Sequence, residues 1–311
     1  MKKITLVTFL ILLCSKVSFA QQDPEFTHYM YNMNVINPAY VTHTPEIINF
    51  GAFYRTQWVG AIGAPETFSF FTHLPINHKI ETGLSFITDE IGEGALKENN
   101  IYADFAYIIS LTEKIKLSMG VKAGVTFLNT DFTGLRLESG DPSTDAAFQE
   151  NINQTFPNFG AGAFLFHESF YIGLSAPNFL KGKHLQDPNG IQRLGSEEIH
   201  TYLTGGYVFD LNQDYKIKPS FLIRNVRGAP LMYDLSLNVR YLDRFELGVS
   251  HRIDDSVSGM FGIGITPSLT FGYAYDHTLT NMGNFNSGTH EIYLLFDLNL
   301  LGGYHKSPRF F

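Results

Sequence analysis

The chain has one cysteine, Cys14, and one tryptophan, Trp58, in 311 residues, and only 17% of its residues are charged. A lone cysteine excludes an internal disulfide framework. The charged fraction falls below the roughly 25% usual for soluble domains, which fits poorly with a surface lying wholly in water. Positive charge is the scarcer sign: 22 Lys and Arg face 30 Asp and Glu, for a net charge of −8. That balance argues against nucleic-acid binding, which needs a basic face. No run reaches eighteen continuous apolar residues, so no helix of this sequence is expected to span a bilayer.

Catalytic signatures are missing too. There is no G-x-S-x-G, H-E-x-x-H or G-x-x-x-x-G-K sequence, so neither an enzyme nor a cofactor site is expected. Gly262-Ile263-Gly264 resembles half a dinucleotide fingerprint, but it lies inside an alternating strand with no helix after it. The histidines show no metal-ligand spacing, and His73 and His78, flanking a tight turn, are expected to be solvated. Asp89 and Glu90 with Glu93, and Asp141 with Asp145, could attract a hard cation. Neither group has the spacing of a calcium loop, and solvated loop charge is the better reading.

What the chain does have is 28 Phe, 16 Tyr and 28 Gly. Its first twenty residues, MKKITLVTFLILLCSKVSFA, read as a signal peptide: Lys2 and Lys3, an apolar run at Ile4–Leu13, and Ser18-Phe19-Ala20 as an A-x-A-like cleavage site. Cleavage there would remove Cys14 and three lysines, leaving 19 basic residues against 30 acidic ones, a net charge of −11. The sequence then divides into a signal peptide (1–20), an N-terminal periplasmic or plug segment (21–46), a barrel (47–300) and a C-terminal tail (301–311).

Period-two alternation dominates the barrel region. In Lys114–Phe127, Ile115, Leu117, Met119, Val121, Ala123, Val125 and Phe127 alternate with Lys114, Lys116, Ser118, Gly120, Lys122, Gly124 and Thr126. A strand separates two such faces, whereas a helix would mix them. Each run is about ten residues long, the length a tilted strand needs to cross a bilayer. About fourteen runs begin near Ile47, Glu66, Lys79, Glu98, Lys114, Asn158, Ser169, Glu197, Tyr215, Leu231, Arg244, Val257, Ser268 and Thr289. Links after even-numbered strands are tight. Most of those after odd ones are long: Gln57–Pro65, Asp89–Lys97, Asn129–Pro157, Asn178–Ser196 and Asp276–Gly288. Tight periplasmic turns and long outward loops are the signature of a transmembrane antiparallel up-and-down β-barrel. Its apolar faces would meet lipid, and closure would satisfy every strand edge. Gly120, Gly124, Gly205, Gly248, Gly262, Gly264 and Gly272 fall on inward faces, where they are expected to ease curvature rather than leave room for a plug.

Two stretches are candidate contact sites. Arg55, Gln57, Trp58, Gly63 and Pro65 lead into or lie in a loop poor in charge, where an aromatic residue and an arginine could anchor a partner or Trp58 could mark the membrane interface. Phe26, Tyr29, Tyr31, Asn37, Pro38 and Tyr40 belong to a non-alternating segment too apolar to float free, expected to plug the barrel or dock on a periplasmic partner.

The opening QQDPEFTHYM (Gln21–Met30), the Asn37-Pro38-Ala39-Tyr40 cluster, YRTQWVGAIGAPETFS (Tyr54–Ser69) and GTHEIYLLFDL (Gly288–Leu298) together resemble the PorP/SprF family of outer-membrane proteins associated with type IX secretion. Val41-Thr42 stands where that family usually carries a small-residue step such as Ala-Gly. The resemblance implies an outer-membrane protein in contact with lipid. It also implies partnership with secretion components and with secreted cargo, such as gliding adhesins, displayed at the cell surface. A channel for small or hydrophobic solutes is the alternative that the polar inward faces suggest.

Overall fold

The structure, a computed structural model, describes residues 24–132, 151, 153–179 and 199–300. Alternation produces strands throughout: β1 (Ile47–Thr56), β2 (Glu66–Asn77), β3 (Ile80–Ile91), β4 (Leu96–Ser110), β5 (Lys116–Thr130), β6 (Asn153–Phe166), β7 (Phe170–Ala176), β8 (His200–Tyr207), β9 (Phe209–Asp210), β10 (Tyr215–Val226), β11 (Met232–Tyr241), β12 (Phe245–Arg252), β13 (Ser256–Thr266), β14 (Leu269–Thr278) and β15 (Thr289–Asn299). Consecutive strands pair antiparallel. β8 and the two-residue β9 both pair with β10, so they form one stave interrupted at Val208. β15 pairs with β1, with Tyr54 opposite Ile292. The result is a closed barrel of fourteen antiparallel staves, as the sequence predicts. No helix among the described residues is long and apolar enough to cross a membrane.

The two faces of each strand separate as the pattern requires. On β5, Met119 and Val121 point outward and are each 55% exposed, while Ser118 and Lys122 point inward and are buried. Leu84, Ile101, Phe105, Leu235 and Leu247 continue the exposed apolar belt around the wall, the surface that acyl chains would cover. Tight turns gather at the end where β2 meets β3, β4 meets β5 and β6 meets β7, the periplasmic end of such a barrel, and the last residues of β5 and β7 and the first of β6 and β8 lie at the other, outer end.

One expected loop is shorter than the sequence suggested. β3 and β4 continue their ladder past the apolar belt, with Asp89 opposite Glu98 and Glu90 opposite Lys97. The Asp89–Lys97 link therefore shrinks to residues 92–95, because charged residues pair as well as apolar ones once the strands leave hydrocarbon. Asp89 accepts a hydrogen bond from Thr67 and Glu90 pairs with Lys97 at 3.5 Å, so neither is free loop charge. Asp141 and Asp145 lie outside the described residues.

The core lies within the wall. Residues 24–46 run through the lumen, from the outer ends of β10 and β12 down to the inner start of β1, with a 3₁₀ turn at Tyr29–Tyr31 and a one-turn helix at Met33–Ile36. Phe26, Tyr29, Met30, Met33 and Ile36 pack against Phe53, Phe71, Phe164, Tyr171 and Tyr293 of the wall. Glycine spacing on the wall matches this path. A Cβ on Gly120 would lie 2.2 Å from the Pro38 carbonyl oxygen, and one on Gly162 would lie 2.1 Å from Asn37 Oδ1. Gly124 and Gly272 lie beneath the rings of Tyr102 and Tyr293. Gly205, expected inside, instead pairs with Ile172 and Phe221 on the lipid-facing side, because Tyr202 and Thr204 set the inward parity of β8. Gly120, Gly124, Gly162 and Gly272 thus make space for the segment and for aromatic rings.

Candidate functional site

The lumen holds the segment chiefly through its backbone. At the outer end, the Glu291 carboxylate accepts the backbone N–H groups of Thr27 and His28, each at 2.8 Å. Near the inner end, Glu81 accepts those of Thr42 at 2.8 Å and His43 at 2.6 Å. Between these anchors the carbonyls are taken up: Lys122 donates to Asn34 at 2.9 Å and Ser175 to Ile36 at 2.8 Å. Asn37 donates from its own side chain to the Ala163 carbonyl at 3.1 Å. Charged hydrogen bonds of this kind contribute about 1.5–3 kcal/mol each when buried.

Ion pairs surround the outer anchor. Arg55 donates to Asp276 at 2.9 Å, to Glu291 at 3.1 Å and to the Thr27 hydroxyl at 2.8 Å. Glu25 bridges Arg224 and Arg252, the latter at 2.6 Å. Burial alone would raise the Glu25 carboxyl, but the guanidiniums of Arg252, Arg224 and Arg55 outweigh it and hold the group below its ordinary value. Deeper in the lumen, Tyr31 donates to Glu246 and accepts from Arg240 at 3.1 Å.

Arg55 therefore does not belong to the outward loop. It alternates with Gly51 and Phe53 on the inner face of β1 and is 3% exposed, so it has no surface to offer a partner. Gln57, Trp58, Gly63 and Pro65 do lie at the outer rim, part-exposed. Their loop is stitched to both neighbours: Trp58 N donates to Thr289 Oγ1 at 3.1 Å, Val59 N to the Gly288 carbonyl at 2.8 Å, and Gly92 N to the Gly63 carbonyl at 3.0 Å. At its tip Ile62 stands 94% exposed, and Phe285 on the adjacent β14–β15 link is 73% exposed.

Phe26, Tyr29, Tyr31, Asn37, Pro38 and Tyr40 are all buried in the lumen. His73, expected in solvent, is buried there too, with Tyr40 edge-on at 5.1 Å and Phe71 at 5.5 Å. It lies on the inward face of β2 well before the turn, whereas His78, in the turn itself, is exposed. Two cavities flank the segment. One, of about 60 Å³, lies in the outer half beside Glu25, Tyr102 and Tyr202; the other, of about 110 Å³, lies in the inner half beside Tyr31, Tyr40, His73 and Asp297. Each has room for several waters. Among the described residues no group of three His, Cys, Asp or Glu is placed to hold a metal ion.

The residues that sequence reasoning missed are Glu25, Glu81, Lys122, Arg224, Arg252, Asp276 and Glu291. The available signal was charge at inward positions of otherwise lipid-crossing strands, which marks groups that must find partners in the interior.

The family described as the type IX secretion system membrane protein PorP/SprF matches residues 18–296. No curated protein sequence matches the chain. Among solved structures, the Acinetobacter baumannii outer membrane protein Omp33 is similar at 10% identity and a TM-score of 0.44, over 82% of this chain and 100% of its own. A Pseudomonas aeruginosa FadL homologue is similar at 13% identity and a TM-score of 0.45, over 92% and 96%. The Pseudomonas putida toluene transporter TodX is similar at 10% identity and a TM-score of 0.48, over 86% and 92%.

Proposed function

The chain belongs to the PorP/SprF family of type IX secretion system membrane proteins, and from that premise we propose that this outer-membrane barrel binds secreted surface proteins, such as gliding adhesins, and holds them at the cell exterior. Residues 1–20 direct export and are removed. The segment that follows serves as a plug, so that the barrel works as a rigid mount rather than a conduit. The observation that carries this reading is the family match across nearly the whole barrel, taken with a lumen filled from Glu25 to Tyr40. Contact with cargo falls to the outer rim, where Gln57, Trp58, Gly63 and Pro65 sit beside the exposed Ile62 and Phe285. Apolar and aromatic groups on a braced loop supply the anchors that such interfaces use.

Deletion of the chain from the producing cell tests the proposal. Secretion of surface adhesin should continue while the adhesin appears in the medium instead of on the cell, and a Trp58→Ala, Ile62→Ser variant should fall between the two states. Unchanged surface retention in the deletion strain would refute the tether. Solute flux through the intact purified barrel in liposomes would favour the channel.

A further inference from the structure

Arg224 on β10 and Arg252 on β12 converge in the outer half of the lumen on one carboxylate that the wall does not supply. Glu25 Oε2 lies 2.6 Å from Arg252 Nη1, and Oε1 meets Arg224 Nη2. Arg252 has wall acids as well, Asp234 at 2.8 Å and Asp255 at 3.5 Å. For Arg224, Glu25 is the ion-pair partner among the described residues. Both arginine side chains are 7% exposed, and a buried guanidinium deprived of its anion is strongly destabilising. The position therefore demands a carboxylate.

Its occupant is not held by strand pairing as wall residues are. Glu25 precedes the anchors at Thr27 and His28, so it can leave without unpairing a strand or freeing Glu291. The outer cavity adjoins it, with Tyr102, Tyr202 and Leu222 as its aromatic and apolar sides and Pro177 and Asn178, just past the outer end of β7, on its lining. Arg224 and Arg252 lie near the outer ends of their strands, Tyr202 stands level with Arg224, and Leu222 lies one inward position deeper, so a carboxylate reaching the guanidiniums would carry its apolar neighbours against these walls. We propose that Arg224 and Arg252 form a carboxylate-binding site beside the cavity in the outer half of the lumen. Glu25 fills it in cis, and the acidic side chain of an incoming peptide, flanked by apolar residues as Glu25 is by Pro24 and Phe26, fills it in trans. This assigns the site its ligand chemistry whichever protein carries the peptide, and so it stands apart from the tether reading.

The test uses the full-length barrel in detergent and two fluorophore-labelled peptides blocked at both ends, Phe-Glu-Phe and Phe-Gln-Phe. Because the cis carboxylate occupies the site in the wild type, its removal in Glu25→Ala should tighten Phe-Glu-Phe binding by about ten-fold or more. Phe-Gln-Phe should bind neither protein, and adding Arg224→Gln to Glu25→Ala should abolish the gain. Equal binding of the two peptides, equal binding by wild type and Glu25→Ala, or indifference to Arg224 would overturn the assignment. Heat-modifiable gel migration reports whether each barrel is folded. If Glu25→Ala is not, Glu25→Gln keeps the side-chain shape and should show the same peptide preference; its failure to do so would also overturn the assignment.

Discussion

Val121 and Lys122 are neighbours on β5 that the fold assigns to opposite solvents, and lysine at these two positions should have opposite effects. Val121 is the third of six outward residues from Leu117 to Phe127 and is 55% exposed on the apolar belt. Lysine introduced near the middle of such a belt costs about 2–4 kcal/mol. Lys122 points inward, 2% exposed, and donates to the carbonyls of Asn34 and Val35, with Asp104 at 3.8 Å. Lys122→Met strips Asp104 of its cation and two carbonyls of their donor, a loss of about 3–5 kcal/mol for a buried pair broken on one side. Gaining a lysine at 121 and losing one at 122 should therefore each destabilise the barrel by several kcal/mol, read from reversible guanidinium unfolding in lipid vesicles. If Val121→Lys stays within about 0.5 kcal/mol of wild type, as a benign surface substitution would, the lipid face has been misassigned. Should Lys122→Met be neutral, the segment does not depend on that wall contact.

Further outcomes follow from the lumen. Glu25 is held below its ordinary 4.5, so it stabilises the fold fully above that pH and loses the contribution as pH falls through its folded value. Wild-type unfolding free energy should accordingly drop more steeply than that of Glu25→Gln as pH is lowered from 6 towards 3, and parallel curves would contradict the ion pairs of Glu25 with Arg224 and Arg252. Gly120→Val places a Cβ against the Pro38 carbonyl and should cost about 1–3 kcal/mol by overpacking while making the segment sensitive to protease. Gly259→Ala, with nothing within 4 Å of the added carbon, should do neither. Trp58, the sole tryptophan, should be quenched by water-soluble iodide more than by mid-chain brominated lipids, and the reverse order would move the rim into the hydrocarbon.

Strands were legible because lipid on one side and a polar lumen on the other impose a period of two on every crossing. The runs expected near Ile47, Glu66, Tyr215 and Thr289 begin at those residues. The Asp89–Lys97 loop was overestimated because apolar alternation ends where hydrocarbon ends, while hydrogen-bonded pairing does not. Arg55 was misread for a related reason: its arginine looked like the start of a loop, yet its parity with Gly51 and Phe53 already placed it inside. Partnerships across the lumen were not legible at all. Glu291 meets Thr27 from 264 positions away, a separation that no local pattern encodes. The non-alternating, apolar character of residues 24–46 marked them as buried somewhere; only the closed wall, with Gly120 and Gly162 open beneath Asn37 and Pro38, supplies the place.

Single-channel recording in planar bilayers tests the central claim most directly, by comparing the mature barrel with one lacking residues 21–40. If the segment fills the lumen, the mature protein should be silent or nearly so, and the deletion should show discrete, ohmic conductance steps while keeping the heat-modifiable migration of a folded barrel. Equal conductance in the two proteins, with both folded, would mean that the segment does not occupy the interior, and the account of the lumen would fail.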